Sequence, residues 1–188
     1  AHKIAARAES EAEHVLPPPY VVKPNAEGSS VGVYIVRDGA NGPPKLAKDL
    51  PEALMVEAYV SGRELTVSVM DGRALTVTEI LTDGWYDYHA KYAQGGSRHD
   101  VPARVPEEIF AACQRMALTA LEVLGGRGFS LSDFLWYEAR GPDGLVILET
   151  NTQPGMTPTS LTPEQAEAAG MSFGALCAWL VEDASCDR

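Results

Sequence analysis

The sequence predicts an α+β fold, and three observations carry that prediction. Glu64 to Met70, an Asp71-Gly72 turn and Ala74 to Ile80 alternate with β-branched residues, the pattern of a two-stranded hairpin. Ile109, Cys113, Met116, Ala117, Ala120, Leu121 and Leu124 recur at spacings of three and four. Glu107 to Leu124 therefore reads as an amphipathic helix, with Pro106 near its start and Gly125 after its end. Phe129 to Tyr137 and Leu145 to Asn151 form a second hairpin across Gly141-Pro142-Asp143-Gly144. In 188 residues with 45% hydrophobic content, such elements can bury a core as one domain or two small lobes.

The remaining elements follow in order. Ala1 to His14 is rich in alanine and glutamate and reads as a helix that Pro17-Pro18-Pro19 ends. Tyr20 to Lys23 reads as a short buried strand, and Val31 to Arg37 as an alternating strand before the turn residues Asp38-Gly39 and Asn41-Gly42-Pro43-Pro44. Lys45 to Leu54 reads as a short helix and Met55 to Val60 as a strand. Leu81 to Arg104 loses periodicity; a loop of that length inside a compact domain is either functional or disordered. Trp85, Tyr86, Tyr88 and Tyr92 crowd into eight residues, which argues against simple disorder and for an aromatic-anchored lid. Past Asn151, Thr162-Pro163 opens one short helix and Ser172 another ending near Ala184, each with a fitting cap.

Composition excludes several classes. A net charge of −11 argues against a nucleic-acid or anionic-membrane surface, since both call for basic patches. No apolar run approaches the length of a membrane span, and AHKIAARAESEAEH lacks a signal-peptide core. Cys113, Cys177 and Cys186 are odd in number and widely spaced without a CxxC pair, which suggests reduced thiols and a cytoplasmic setting.

Three stretches carry candidate chemistry. In LETNTQPGMTPTSL, Leu148 to Leu161, Glu149 and Asn151 lie two residues apart and project from one face of a strand. A carboxylate and an amide oxygen side by side suit a hard cation that also touches phosphate. The Pro154-Gly155 break and the hydroxyls of Thr157, Thr159 and Ser160 then offer donors to a carboxylate or phosphate. The plain alternative is a strand end and an ordinary polar loop. Lys23 ends a strand before Glu27-Gly28-Ser29-Ser30-Val31-Gly32, a turn that can wrap phosphate oxygens or serve merely as a surface hairpin; it lacks the Walker pattern. Asp133 falls near the level of Asn151 in the second hairpin, where it converges with Glu149 and Asn151 or simply ends a strand.

LETNTQPGMTPTSL closely resembles the end of the active site in the D-alanine–D-alanine ligases of the ATP-grasp superfamily. VVKPNAEGSSVGV (Val21 to Val33), VEAYVSGREL (Val56 to Leu65) and WYDYHAKY (Trp85 to Tyr92) match in the same chain order. The resemblance implies an ATP-grasp fold: two α/β lobes with antiparallel sheets around a nucleotide cleft. It divides the chain into a lead-in (1–19), an incomplete small lobe (20–60) and a large lobe (61–188). It implies ATP- and magnesium- or manganese-dependent joining of two D-alanines for peptidoglycan precursors. Lys23 and Lys91 would contact phosphates, Glu57, Ala58, Tyr59 and Val60 form the adenine hinge, and Glu64 binds the ribose. Asp133, Glu149 and Asn151 would hold the metal, and Gly155, Ser160 and Leu161 the acceptor carboxylate. Tyr92 would bond the loop serine, Ser29 by position. The resemblance also suggests a homodimer, beside the composition's case against a nucleic-acid partner and membrane insertion.

The chain departs from the family at several points. Leu131 stands where the ligases place an arginine that steadies the oxyanion of the tetrahedral intermediate, and His89 stands where many relatives carry an acid. The family's preceding region, with a second nucleotide lysine and a glutamate for the first D-alanine, is not recognisable before Val21, so the chain reads as a fragment, a separately encoded portion or a sequence with pieces left out. By itself it is expected to make little dipeptide. A non-catalytic nucleotide-binding relative and a D-alanine–D-lactate ligase are the rival readings; the Lys91-Tyr92 pair favours the dipeptide maker over the latter.

Overall fold

The computed structural model describes residues 1–27, 30–81, 98–157 and 160–185, which fall into two compact units divided after Val60. The first unit is a four-stranded antiparallel sheet of β1 (His2–Ala6), β2 (Tyr20–Pro24), β3 (Tyr34–Val36) and β4 (Ala53–Ala58), in the order β1-β4-β2-β3. Its core is Tyr20, Val22, Leu54 and Val56, all fully buried, with Ala5, Val36 and Leu46 around them.

Two expectations fail in this unit. The alanine- and glutamate-rich opening is not one helix: His2–Ala6 pairs residue for residue with β4, from His2 opposite Glu57 to Ala6 opposite Ala53, and only Arg7–Ala12 (α1) is helical. Helix propensity is a weak prior, and a sheet edge offering a full set of partners overrides it. Lys45 to Leu54 forms no helix either. The Leu46 N–H donates to Glu11 Oε1 at 3.3 Å and the Ala47 N–H to the Tyr34 hydroxyl at 3.0 Å, while Leu46 drops into the core. Amides held by side chains from elsewhere follow those partners and not a local helix.

The second unit is a five-stranded antiparallel sheet, β7-β6-β5-β8-β9, built from β5 (Arg63–Met70), β6 (Arg73–Leu81), β7 (Arg98–Asp100), β8 (Phe129–Trp136) and β9 (Leu145–Asn151). Both expected hairpins are present, although Glu138–Gly144 winds into a 3₁₀ segment with Gly141 at φ 54° in place of a tight turn. The long helix, α2 (Glu107–Val123), lays Ile109, Cys113, Ala117 and Leu121 on Leu65, Val67, Val69, Val77, Phe134 and Trp136. Burying each large apolar side chain of this set contributes about 1.5–3 kcal/mol. On the opposite sheet face lie α3 (Leu161–Ala168) and α4 (Phe173–Asp183), centred on Met70, Ala166 and Leu176. Ser172 caps α4, its Oγ accepting from the Ala175 N–H at 3.2 Å. Thr162 does not cap α3: the helix begins at Leu161 after Ser160, and the buried Thr162 hydroxyl meets Ser68 instead. Among the described residues no helix is long and apolar enough to cross a membrane.

Cys113 shows how this core controls reactivity. Burial pushes its thiol up to about 12, from an ordinary value of 9.0, so it stays protonated at neutral pH. Native protein treated with iodoacetamide at pH 7.5 is expected to be alkylated at the half-buried Cys177 and spared at Cys113 until denaturant is added, as read by peptide mass spectrometry. Because the folded thiol titrates above the unfolded one, its contribution to stability is intact below about pH 9 and is lost as pH rises toward 12.

Candidate functional site

Within the first unit, the ladder brings two predicted nucleotide residues together. Val21 lies opposite Glu57 in the pairing of β2 with β4, and Lys23, two residues on, projects from the same face. Lys23 Nζ and Glu57 Oε1 meet at 2.6 Å, both about three-quarters buried at 22% and 26% exposure. The hinge residues are already committed in part: the Ala58 N–H donates to the Ala1 carbonyl at 2.9 Å and the Tyr59 N–H to the Pro19 carbonyl at 3.1 Å.

In the second unit the candidate residues share one sheet face. Directly opposed residues of an antiparallel ladder point to the same side, as do residues two apart on a strand. Asp133 lies opposite Glu149 and Leu131 opposite Asn151 in the pairing of β8 with β9, while Thr66 lies opposite Asp133 and Ser68 opposite Leu131 in the pairing of β5 with β8. Glu64, Thr66, Ser68, Leu131, Asp133, Glu149 and Asn151 thus belong to the face opposite α2. The register differs from expectation by two residues, since Asp133 sits level with Glu149 and not with Asn151. An irregularity after Asp133, where Phe134 pairs with Ile147 and Leu148 is left over, sets Asp133 opposite Glu149 and not opposite Leu148.

These residues suit a divalent cation. Among the described residues no cluster of three or more His, Cys, Asp or Glu side chains forms, so the oxygen set here is two carboxylates and one amide. Hard oxygen donors of mixed charge, with room for water or phosphate, are what magnesium takes. The Asn151 Oδ1 also accepts the Gln153 N–H at 2.8 Å, a turn that fixes the amide at the strand end. Leu131 occupies the same face at 8% exposure and brings neither charge nor hydrogen bond to it.

The loop after β9 folds against itself. Ser160 Oγ accepts the Thr157 N–H at 2.9 Å and lies 2.9 Å from Thr157 Oγ1, while the Ser160 N–H donates to the Thr157 carbonyl at 3.0 Å. A Cβ on Gly155 would lie 2.9 Å from Ser160 Oγ, which explains the glycine. Gly155, Ser160 and the first residue of α3, Leu161, are therefore gathered at the start of that helix.

Sequence reasoning missed Arg63, next to Glu64. Its Nε and Nη2 grip Glu79 at 2.6 Å each, Nη1 donates to Glu138 at 3.1 Å, Nη2 also donates to the Arg104 carbonyl at 2.8 Å, and the guanidinium lies 5.4 Å from the Trp136 ring centre. Hydrogen bonding to Glu79 raises the Arg63 pKa. The bidentate grip holds β5 at the residue that launches Glu64, and its partners lie too far along the chain for any local pattern to announce them. Ser29, Lys91 and Tyr92 fall outside the described residues, as does the expected Trp85 to His99 lid through residue 97; its last two residues are not loop, since Arg98–Asp100 pairs with Glu79 to Leu81 as β7.

Comparison with known proteins bears on the family and the fold. A family model described as D-ala D-ala ligase C-terminus matches residues 2–182. The chain is 68% identical to a D-alanine–D-alanine ligase of Ruegeria pomeroyi over 188 residues, covering 100% of this chain and 61% of that one. It is also 68% identical to one of Cereibacter sphaeroides over 185 residues, covering 98% and 60%. Among solved structures, the VanG D-Ala:D-Ser ligase of Enterococcus faecalis superposes with a TM-score of 0.74 at 30% identity, covering 97% of this chain and 55% of that one. The D-alanine–D-alanine ligase of Bacillus anthracis complexed with ATP superposes with a TM-score of 0.70 at 25% identity, covering 97% and 59%. The chain thus spans about 60% of the length of the relatives it matches. The two antiparallel sheets with their helices are those of the ATP-grasp ligases, as the resemblance led one to expect, and the chain belongs to the D-alanine–D-alanine ligase C-terminal family.

Proposed function

We propose that this chain carries the metal and acceptor side, and part of the nucleotide side, of an ATP-dependent ligase that joins two D-alanines for peptidoglycan precursors. The observation that supports it most is the directly opposed pair Asp133 and Glu149, with Asn151 on the same face, one short loop away from Gly155, Ser160 and Leu161. In this reading the carboxylate of one D-alanine attacks the γ-phosphate of ATP, giving an acyl-phosphate and ADP. The amine of the second D-alanine then attacks the acyl carbon, and inorganic phosphate leaves as the amide forms. Asp133, Glu149 and Asn151 would hold magnesium or manganese, which neutralises charge on the phosphate oxygens. Lys23, oriented by Glu57, offers a cation to the nucleotide, and Glu64 offers a carboxylate to the ribose hydroxyls. Gly155, Ser160 and Leu161 receive the acceptor's carboxylate. By family resemblance Lys91 faces the γ-phosphate and Tyr92 pairs with Ser29, closing the site against water that would hydrolyse the acyl-phosphate. The cytoplasm is the proposed compartment and a homodimer the proposed assembly.

One observation favours a second reading. With Leu131 buried on the ligand face, the chain would bind nucleotide yet turn over poorly. Phosphate release is measured with ATP, magnesium and D-alanine, with D-serine and D-lactate as alternative acceptors, beside calorimetry with ADP. Ligation predicts magnesium-dependent phosphate release that needs D-alanine. Nucleotide binding with no release under any acceptor would support the second reading, and no nucleotide heat at millimolar ADP would defeat both.

A further inference from the structure

We propose that Gln165, acting with Ser68 and Thr162, is a positioning device for the acceptor loop and thereby sets the affinity for the second substrate. The inference deepens the ligase reading above and rests on it for the identity of that substrate. The pairing of β5 with β6 shifts between Val67 and Val69, where the single residue Ser68 stands against two of β6, Leu75 and Thr76, and the regular ladder is broken. Gln165 reaches from α3 into this break. Its Oε1 accepts the Ser68 N–H at 2.7 Å and its Nε2 donates to the Thr66 carbonyl at 3.3 Å. One turn earlier on the helix, Thr162 Oγ1 meets Ser68 Oγ at 2.9 Å. Thr66, Ser68, Thr162 and Gln165 are all 0% exposed.

A buried amide using both its ends on the backbone of one strand, at a break in its ladder, prescribes where α3 sits along that strand. An apolar side chain of the same length would fill the space but leave the Ser68 N–H buried without an acceptor. The helix in turn carries the loop, because Ser160 immediately precedes α3 and is bonded to Thr157 through both backbone and side chain. Thr66 lies opposite Asp133, so the same latch refers Ser160 to the strand pair that bears the metal candidates. A second tie, His99 Nδ1 to Glu164 Oε2 at 2.7 Å, joins the helix to β7 from a more exposed position. Displacing a substrate-positioning group by about 1 Å can cost on the order of a hundredfold in rate, which gives such a latch functional weight.

The test uses the 188-residue chain with Gln165→Met, Thr162→Val and Thr162→Ser. Amide exchange followed by NMR at Thr157, Ser160 and Leu161 is compared with exchange along α2. The first two variants are expected to exchange about tenfold faster at the loop amides, the factor one lost buried hydrogen bond is worth, with α2 unchanged and Thr162→Ser restored to the parent rate. Calorimetry with D-alanine in the presence of ADP and magnesium is expected to show about tenfold weaker D-alanine binding in the same two variants at unchanged ADP affinity. Parent-like loop exchange in both Gln165→Met and Thr162→Val, or exchange raised equally throughout α2 in both, would overturn the latch while leaving the ligase reading intact. The reverse result, loop exchange as expected but no D-alanine binding by the parent, would sink the substrate assignment and leave the latch standing.

Discussion

Asp133→Asn is expected to lower magnesium-dependent phosphate release by about 10²–10⁴-fold, because a metal ion stabilising transition-state charge contributes several kcal/mol and each 1.36 kcal/mol is a factor of ten. Asp133 stands directly across the ladder from Glu149, where opposed Cβ atoms lie about 4.5–5.5 Å apart, close enough for both carboxylates to share one cation. Removing one charge from a set of two carboxylates and an amide should raise the magnesium concentration needed for half-maximal rate as well as lower the maximum. Glu149→Gln should behave alike, and the double variant should be little worse than either single one, since both act through one ion. Thr150→Val is the control. Thr150 bonds Ser132 at 2.9 Å on the other face of the same strand pair, so its loss should leave the magnesium dependence unchanged. A magnesium titration of Asp133→Asn that overlays the parent curve would remove this face from the metal site.

Leu131→Arg is expected to raise the ligation rate by about 10²–10³-fold, the value of one preorganised oxyanion donor, when tested in a chimera carrying the part of the Ruegeria pomeroyi relative that this chain does not match. In the 188-residue chain alone the gain should be small, because the family's site for the first D-alanine's ammonium group lies in a region not recognisable here. The position is well placed for such a gain. Leu131 shares its face with Asp133, two residues along the strand, and with Asn151 directly opposite, so an arginine there would have a carboxylate to steady it. The gain should appear in turnover while nucleotide affinity hardly moves, since the added contact acts in the transition state. Leu131→Met, which changes shape without adding a donor, should leave turnover at the parent level. An equal gain from Leu131→Met, or none from arginine in the chimera, would show that another group already serves the oxyanion.

What could be read from the chain alone was whatever neighbours along it decide. The Glu64 to Met70 and Ala74 to Ile80 hairpin follows from alternation around Asp71-Gly72, and α2 from its apolar spacing of three and four; both depend on contacts a few residues apart, and both are present. The pairing of Glu149 with Asn151 on one face is likewise a consequence of strand geometry. Three features depended on partners far away in sequence. His2–Ala6 is a strand only because β4 offers it an edge about fifty residues later, against a local composition that favours helix. Asp133 faces Glu149 only because Leu148 is left over in the ladder, and a one-residue irregularity is not visible in hydrophobic alternation. Gln165 reads as an ordinary polar helix residue, and it is buried because the break at Ser68, about a hundred residues earlier, exposes an N–H that needs an acceptor. Local sequence thus determined which residues could bear the chemistry, while long-range pairing decided which of them meet, since register and polar satisfaction are settled only when distant strands and helices come together.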